Sequence, residues 1–156
     1  MKIIGADHTS FTVANLARSL EFYVGLLGFS VICIRPEITQ TYFRRVVGFP
    51  DAVVKGADLA IPGTDHRLEL FEYVQPRGTP ANVEVNHPGS AHIAYLVDDL
   101  PALYAHLKAS GAHFRSAPIA LDEGPNAGGV AVYLLDPDGI TIELFQPAAK
   151  PTTDHR

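Results

Sequence analysis

Two histidines and two glutamates stand at matching places along this sequence, and residues of these types can bind metal ions. They are His8, Glu69, His92 and Glu143. His92 follows His8 by 84 positions and Glu143 follows Glu69 by 74, so each half of the chain holds one histidine and then one glutamate. Imidazole nitrogen and carboxylate oxygen suit divalent Zn, Ni, Co, Mn and Fe. The pattern predicts a divalent metal site that uses these four side chains.

The four residues belong to an internal repeat. The stretch "DHTSFTVANLARSLEFYVGLLGF" (7–29) aligns with "AHIAYLVDDLPALYAHLKASGAH" (91–113), and "RLELFEY" (67–73) aligns with "TIELFQP" (141–147). The two offsets differ by ten because the first half carries extra residues around 35–52, where a short helix over about 39–47 is predicted. The chain therefore reads as two copies of one structural unit.

Each copy predicts the element order β–α–β–β–β, from apolar alternation in the strands and helical spacing between them. The predicted strands lie near 8–13, 29–35, 53–61 and 65–74 in the first copy, and near 91–97, 112–116, 129–135 and 140–146 in the second. The predicted helices span about 15–27 and 99–110. This is an α+β fold. We expect one domain over 1–147, with modules at about 5–75 and 90–147, and a flexible tail at 148–156.

Strand alternation separates an apolar face from a face that carries the histidine or the glutamate. In "HIAYLV", His92 faces away from Ile93 and Tyr95, and in "LEL", Glu69 faces away from both leucines. An unpaired carboxylate inside a sheet is costly and normally has a partner. A divalent cation would satisfy both carboxylates and both imidazoles. The strands are thus predicted to be half core and half metal cavity.

Composition limits the partners. The 156 residues carry a net charge of −5, which disfavours nucleic-acid binding. No run approaches the roughly 18 apolar residues that a membrane span needs, and "MKIIGADHTS" does not read as a signal peptide. The single cysteine, Cys33, is predicted to be a buried core thiol. We expect a cytoplasmic protein whose partner is a small molecule, with no nucleic acid and no membrane.

The motifs "DHTSFTVANLARSLEFYVGLLGF", "RLELFEY", "SAHIAYLVDDL" and "YLLDPDGITIELFQP" resemble the vicinal oxygen chelate superfamily over about residues 5–147. This superfamily includes glyoxalase I, methylmalonyl-CoA epimerase, extradiol dioxygenases and bleomycin-binding proteins. The motifs are most similar to glyoxalase I and epimerase-like members, although Glu69 stands where epimerases often have glutamine. The resemblance implies a mixed sheet curled around a metal cavity, the ligands His8, Glu69, His92 and Glu143, and a homodimer.

The resemblance also implies isomerase or lyase chemistry. The metal polarises a carbonyl group of a small substrate, and a carboxylate moves the neighbouring proton. Either Glu69 or Glu143 could be that base, and the sequence does not choose between them. Substrate contacts are expected from a second group of polar side chains, namely Arg44, Arg67, Asn126 and Tyr133.

Two other functions stay open. One is extradiol ring cleavage with Fe(II) or Mn(II), which uses two histidines, one carboxylate and open positions for catechol and O₂. Tyr133 stands ten residues before Glu143, as a tyrosine does in those dioxygenases, whereas Glu69 would crowd the O₂ position. The other is a metal-free protein that binds a drug or another small ligand, as the bleomycin-binding relatives do.

Overall fold

The computed structural model describes residues 1–149, which form two compact units. The first unit spans Met1–Ala81 and the second begins at Asn82. Each unit contains one copy of the sequence repeat. The predicted tail, 148–156, lies outside the described residues from position 150 onward.

The elements of the first unit are β1 His8–Thr12, α1 Leu16–Leu20 with a π-helical continuation Glu21–Leu26, β2 Ser30–Ile38, α2 Thr41–Val47, β3 Val53–Ala60 and β4 Arg67–Gln75. Its four strands form a mixed sheet with strand order β1-β4-β3-β2. Strand β1 runs parallel to β4, and the other two pairings are antiparallel. The extra segment of the first repeat contains α2, as predicted.

The second unit repeats this arrangement in a five-stranded mixed sheet. Its elements are β5 His92–Leu96, α3 Leu100–Ala109, β6 His113–Phe114, β7 Ile119–Ala120, β8 Val130–Leu135 and β9 Thr141–Gln146. The order is β5-β9-β8-β6, and β7 also pairs with β8. Strands β5 and β9 are parallel, like β1 and β4. The predicted α+β class is confirmed: the described chain has few helices and two open mixed sheets.

Alternation in the last strand of each unit places leucine and isoleucine in the core. Leu68 and Leu70 are fully buried on β4, and Ile142 and Leu144 are buried on β9. The intervening Glu69 and Glu143 are only partly buried. The two faces of each strand therefore differ as the sequence predicts, because successive side chains of a strand point to opposite sides.

The first helix departs from the prediction of one regular helix over 15–27. It is α-helical only to Leu20 and then widens, since the Leu27 N–H donates to the Phe22 carbonyl at 3.1 Å. The adjacent Phe22 and Tyr23 are both buried, and their rings pack edge-to-face with centroids 5.1 Å apart. A widened turn lets both neighbouring rings enter the core.

The beginning of each long helix is tied to the last strand of its own unit by one side chain. Glu72 Oε2 on β4 accepts a hydrogen bond from the Leu16 backbone N–H at 2.9 Å. In the second unit, Gln146 Oε1 on β9 accepts from the Leu100 N–H at 2.8 Å. Both side chains satisfy a helix N–H that has no partner within the helix. The repeat therefore includes the helix anchor as well as the strands.

Replacing Glu72 with Gln is expected to reduce the acid sensitivity of the fold. Burial raises the pKa of Glu72, but the Leu16 N–H and Lys55 outweigh it, so the pKa lies below its ordinary value. The carboxylate thus stabilises the fold above its unfolded-state pKa, and that stability is lost as the pH falls through the folded-state pKa. The amide keeps the acceptor without the charge, so we expect a loss of about 1 kcal/mol at neutral pH, which shrinks as the pH falls from neutral through the folded-state pKa.

Denaturant unfolding of wild type and Glu72→Gln across this pH range measures the effect. Gln146→Glu is the matched control, because it places a carboxylate at the equivalent anchor of the second unit. If the difference in free energy of unfolding between wild type and Glu72→Gln stays constant from neutral to acid pH, the charge of Glu72 does not stabilise the fold.

No helix within residues 1–149 is long and apolar enough to cross a membrane.

Candidate metal centre

The first His–Glu pair lies on the two parallel strands of the first unit. His8 begins β1, and Glu69 sits in β4 opposite Ser10, two residues further along β1. The alternation of strands puts His8 and Ser10 on the same face. His8 Nε2 lies 3.6 Å from Glu69 Oε2, and the Glu69 side chain is only 15% exposed. The structure therefore places the first two predicted ligands side by side.

The second pair lies on the equivalent strands of the second unit. His92 begins β5, and Glu143 sits in β9 opposite Ala94. His92 Nε2 lies 3.3 Å from Glu143 Oε2. Tyr133, which faces Glu143 from β8, places its hydroxyl 3.4 Å from His92 Nε2. The second unit therefore repeats the first pair and adds a phenol beside it.

Both pairs fit the spacing of two ligands on one metal ion. Metal–nitrogen and metal–oxygen bonds of about 2.1 Å, at octahedral to tetrahedral angles, separate two ligand atoms by about 3.0–3.4 Å. The observed separations of 3.6 and 3.3 Å are close to this range. Each pair supplies two donors. Within residues 1–149, no single cluster of three or more His, Cys, Asp or Glu side chains is arranged to hold a metal ion.

Asp7 orients the imidazole of the first pair. Its Oδ2 lies 2.7 Å from His8 Nδ1 and also accepts from Arg67 Nη2 at 2.5 Å. The hydrogen bond from His8, with a second from Arg67, lowers the pKa of the Asp7 carboxyl. A proton on Nδ1 leaves the lone pair of His8 on Nε2, which is the arrangement of metal-binding histidines. Arg67, a predicted substrate contact, is therefore engaged with Asp7.

An arginine that the sequence analysis did not single out contacts the first glutamate. Arg35 Nη2 lies 2.6 Å from Asp58 Oδ1 and 3.1 Å from Glu69 Oε1. The sequence feature that could have indicated this contact is Asp58, because a charged residue in the apolar run "GADLA" needs a partner.

Cys33 is partly exposed, and its thiol lies 3.3 Å from Asp58 Oδ2. The prediction of a buried core thiol was wrong, because Cys33 shares this polar face.

The second glutamate has a different electrostatic environment. Among residues 1–149, His92 is the only side chain that forms an ion pair with Glu143. Burial, together with the negative charge of Glu143, raises the pKa of the Tyr133 phenol. Glu69 is thus held by a guanidinium, whereas Glu143 has an imidazole and a protonated phenol as neighbours.

The remaining predicted substrate contacts have local roles in the structure. Arg44 in α2 donates from Nε to the Ala52 carbonyl at 2.9 Å, which ties the helix to the start of β3. Asn126 is exposed in the loop before β8, and its carbonyl accepts from the Gly129 N–H at 3.1 Å. Tyr133 and, through Asp7, Arg67 are the members of this group that the structure connects to a His–Glu pair.

Known proteins resemble this chain in sequence or in structure. A 2-epi-5-epi-valiolone epimerase from Actinomyces is 29% identical, over 95% of this chain and 82% of its own length. A probable lactoylglutathione lyase from Vibrio cholerae is 28% identical, over 89% of this chain and 88% of its own. A crystal structure of a glyoxalase family protein from Bacillus cereus superposes with a TM-score of 0.82 at 20% identity, covering 96% of this chain and 97% of the other.

The sequence profile of one superfamily matches residues 5–144, nearly the whole chain. This range includes the first parallel strand pair, most of the second, and all four residues of the two His–Glu pairs. The chain therefore belongs to the Glyoxalase/Bleomycin resistance protein/Dioxygenase superfamily.

Proposed function

We propose that this protein is a divalent-metal-dependent isomerase or lyase that moves a proton next to a carbonyl group of a small molecule. The proposed ligands are His8, Glu69, His92 and Glu143, and the proposed metal is Zn, Ni, Co, Mn or Fe. The observation that carries the proposal is the repeated His–Glu pair, with Nε2–Oε2 distances of 3.6 and 3.3 Å on equivalent strands. We further propose that the active form is a homodimer.

The charges around the pairs support a divalent cation. Near the first pair, three carboxylates stand with two guanidiniums, which leaves one negative charge uncompensated; these residues are Asp7, Asp58, Glu69, Arg35 and Arg67. The second pair contributes one carboxylate, Glu143, with a neutral phenol beside it. Each pair therefore carries a surplus negative charge, which favours binding of a cation.

Glu143 is the proposed base. A bound metal would polarise the substrate carbonyl and so acidify the neighbouring C–H bond. The Glu143 carboxylate then accepts that proton and returns it to carbon, which balances the reaction without another reactant. No guanidinium within residues 1–149 forms an ion pair with Glu143, which supports this role, whereas Glu69 Oε1 contacts Arg35. The Tyr133 hydroxyl, whose pKa is raised, remains protonated and can donate a hydrogen bond to a substrate oxygen.

The names of the two relatives agree with this class of reaction. One is called an epimerase and the other a probable lactoylglutathione lyase. Epimerisation at a carbon next to a carbonyl requires removal and return of a proton. We therefore propose substrates in which a carbonyl or hydroxyl oxygen lies beside the carbon that exchanges its proton.

Solvent deuterium exchange tests the proposed reaction. The full chain loaded with Co²⁺ is incubated in D₂O with lactoylglutathione and a panel of α-hydroxyketones, and exchange at the α-carbon is followed by NMR. We expect exchange with at least one of these compounds, and its loss when a chelator removes the metal. Oxygen uptake with catechols in the absence of such exchange would replace this proposal with the dioxygenase alternative.

A further inference from the structure

The guanidinium of Arg35 contacts two carboxylates and one aromatic ring in the first unit. Its Nη2 contacts Asp58 Oδ1 at 2.6 Å and Glu69 Oε1 at 3.1 Å, and its guanidinium carbon lies 5.6 Å from the centroid of the Phe71 ring. A cation over an aromatic face is attracted by the ring electrons. These contacts fix the guanidinium on the face of the sheet that carries Glu69.

The carboxylates of Asp58 and Glu69 need a cation between them. The two residues are direct partners in the antiparallel pairing of β3 and β4, where their side chains lie on the same face. Like charges that face each other across neighbouring strands are destabilising. Arg35 Nη2 contacts both carboxylates and so offsets the repulsion between them.

Gly56 makes room for the ring that supports Arg35. It is the partner of Arg35 in the pairing of β2 with β3. A Cβ atom at this position would lie 3.0 Å from Phe71 Cε1 and 2.9 Å from Ile38 Cδ1, closer than packed carbon atoms approach. The absence of a side chain at Gly56 therefore permits the position of Phe71 beneath the guanidinium.

The second unit replaces this charged group with a neutral one. The strand partner of Glu143 is Tyr133, which occupies the place that Asp58 holds opposite Glu69. Among residues 1–149, no arginine or lysine forms an ion pair with Glu143. The two glutamates thus hold equivalent places in the repeat, and within the described part of the chain only Glu69 of the two contacts a guanidinium.

We propose that Arg35, braced by Asp58, is a positioning residue that holds Glu69 through Oε1 and leaves Oε2 as its single metal-binding atom. This inference rests on the proposed function. The two glutamates then have different roles. Glu69 is a fixed metal ligand, and the carboxylate of Glu143 can move to accept and return a proton. The observed geometry agrees with this, because Oε2 is the oxygen that faces His8 Nε2.

The test removes the contact between Arg35 and Glu69 without changing the net charge of the protein. In the double variant Arg35→Gln/Asp58→Asn, one positive and one negative charge are lost together, so long-range attraction for a cation is preserved. Removal of a residue that hydrogen-bonds to a metal ligand typically weakens metal binding about 10–100-fold. We expect a loss of this size in Co²⁺ affinity, measured by calorimetry on the full chain.

The matched control is Arg115→Gln/Glu84→Gln. It removes another ion pair, in which Arg115 Nη1 lies 2.7 Å from Glu84 Oε2 in the second unit, with the same charge balance. We expect Co²⁺ affinity within about twofold of wild type for this control. Far-ultraviolet circular dichroism and thermal unfolding verify that both double variants are folded.

The Co²⁺ absorption spectrum provides a readout that a purely structural role would not change. Without Arg35, Glu69 Oε1 would also be free to bind the metal, and the higher coordination number would weaken the visible Co²⁺ bands. We expect weaker bands in Arg35→Gln/Asp58→Asn and unchanged bands in the control. If that double variant does not fold, Arg35→Lys, which keeps the charge but not the planar guanidinium, is expected to show the same spectral change.

The outcomes separate this inference from the proposed function. Wild-type protein that binds none of the five candidate metals overturns the proposed function. Wild-type protein that binds Co²⁺, with affinity and spectrum retained in the folded double variant, overturns only the role of Arg35. When the double variant is unfolded, an unchanged spectrum in Arg35→Lys overturns it in the same way.

Discussion

Replacing Glu143 with Gln is expected to slow α-proton exchange by about 10²–10⁴-fold, the usual contribution of a general base. Glutamine keeps an oxygen that can bind a metal but cannot accept the proton. The exchange rate is measured in D₂O at saturating Co²⁺, with the compound that gives the fastest exchange in wild type. Saturating metal ensures that a loss of affinity is not mistaken for a loss of the base.

Glu69→Gln is the matched variant in the other unit. Because Arg35 engages Glu69 Oε1, we expect this change to weaken Co²⁺ binding, with most of the exchange rate recovered at high metal concentration. The reverse result, in which Glu143→Gln keeps its rate and Glu69→Gln loses it at saturating metal, would assign the base to Glu69. The comparison thus decides the choice that the sequence leaves open.

Replacing His92 with Ala is expected to remove stoichiometric metal binding. The affinity for Co²⁺ should fall more than about 100-fold, since loss of a ligand costs more than loss of a group that merely orients one. His92 begins β5 and its side chain is 42% exposed, so the truncation leaves no cavity in the core. Calorimetric titration and circular dichroism measure metal binding and folding separately.

His8→Ala should reproduce this loss, because His8 holds the equivalent position in β1. His106→Ala is the control, since His106 lies on the exposed side of α3 and belongs to neither pair. One equivalent of tightly bound Co²⁺ in a folded His92→Ala variant would remove His92 from the proposed ligand set. A loss in His106→Ala equal to that in His92→Ala would show that the effect is not specific to the pairs.

The repeat and the strand alternation were sufficient to predict the α+β fold and the face on which each glutamate lies. Leu68 and Leu70 alternate with Glu69, and only the two leucines are fully buried, so a period of two indicates the faces of β4. The equal offsets of His8 from His92 and of Leu16 from Leu100 indicated the same element order in both units. These features depend on residues close together in the sequence.

The contact of Arg35 with Glu69 could not be predicted in the same way. The pairing of β2 with β3 shifts register between Val31 and Cys33, and again between Arg35 and Ile38. Each shift breaks the simple alternation, so parity along β2 does not reveal which face Arg35 occupies. The widened helical turn at Glu21–Leu26 escaped prediction for a related reason: spacing alone does not show that a helix changes its period.

Elemental analysis of the purified wild-type chain tests the central claim most directly. After exposure to the candidate ions and removal of excess metal, the protein is predicted to retain about one equivalent of Zn, Ni, Co, Mn or Fe per chain. The same procedure on His92→Ala should leave it nearly metal-free. A folded wild-type protein that retains none of these metals would contradict the account, because the two His–Glu pairs would then have another purpose.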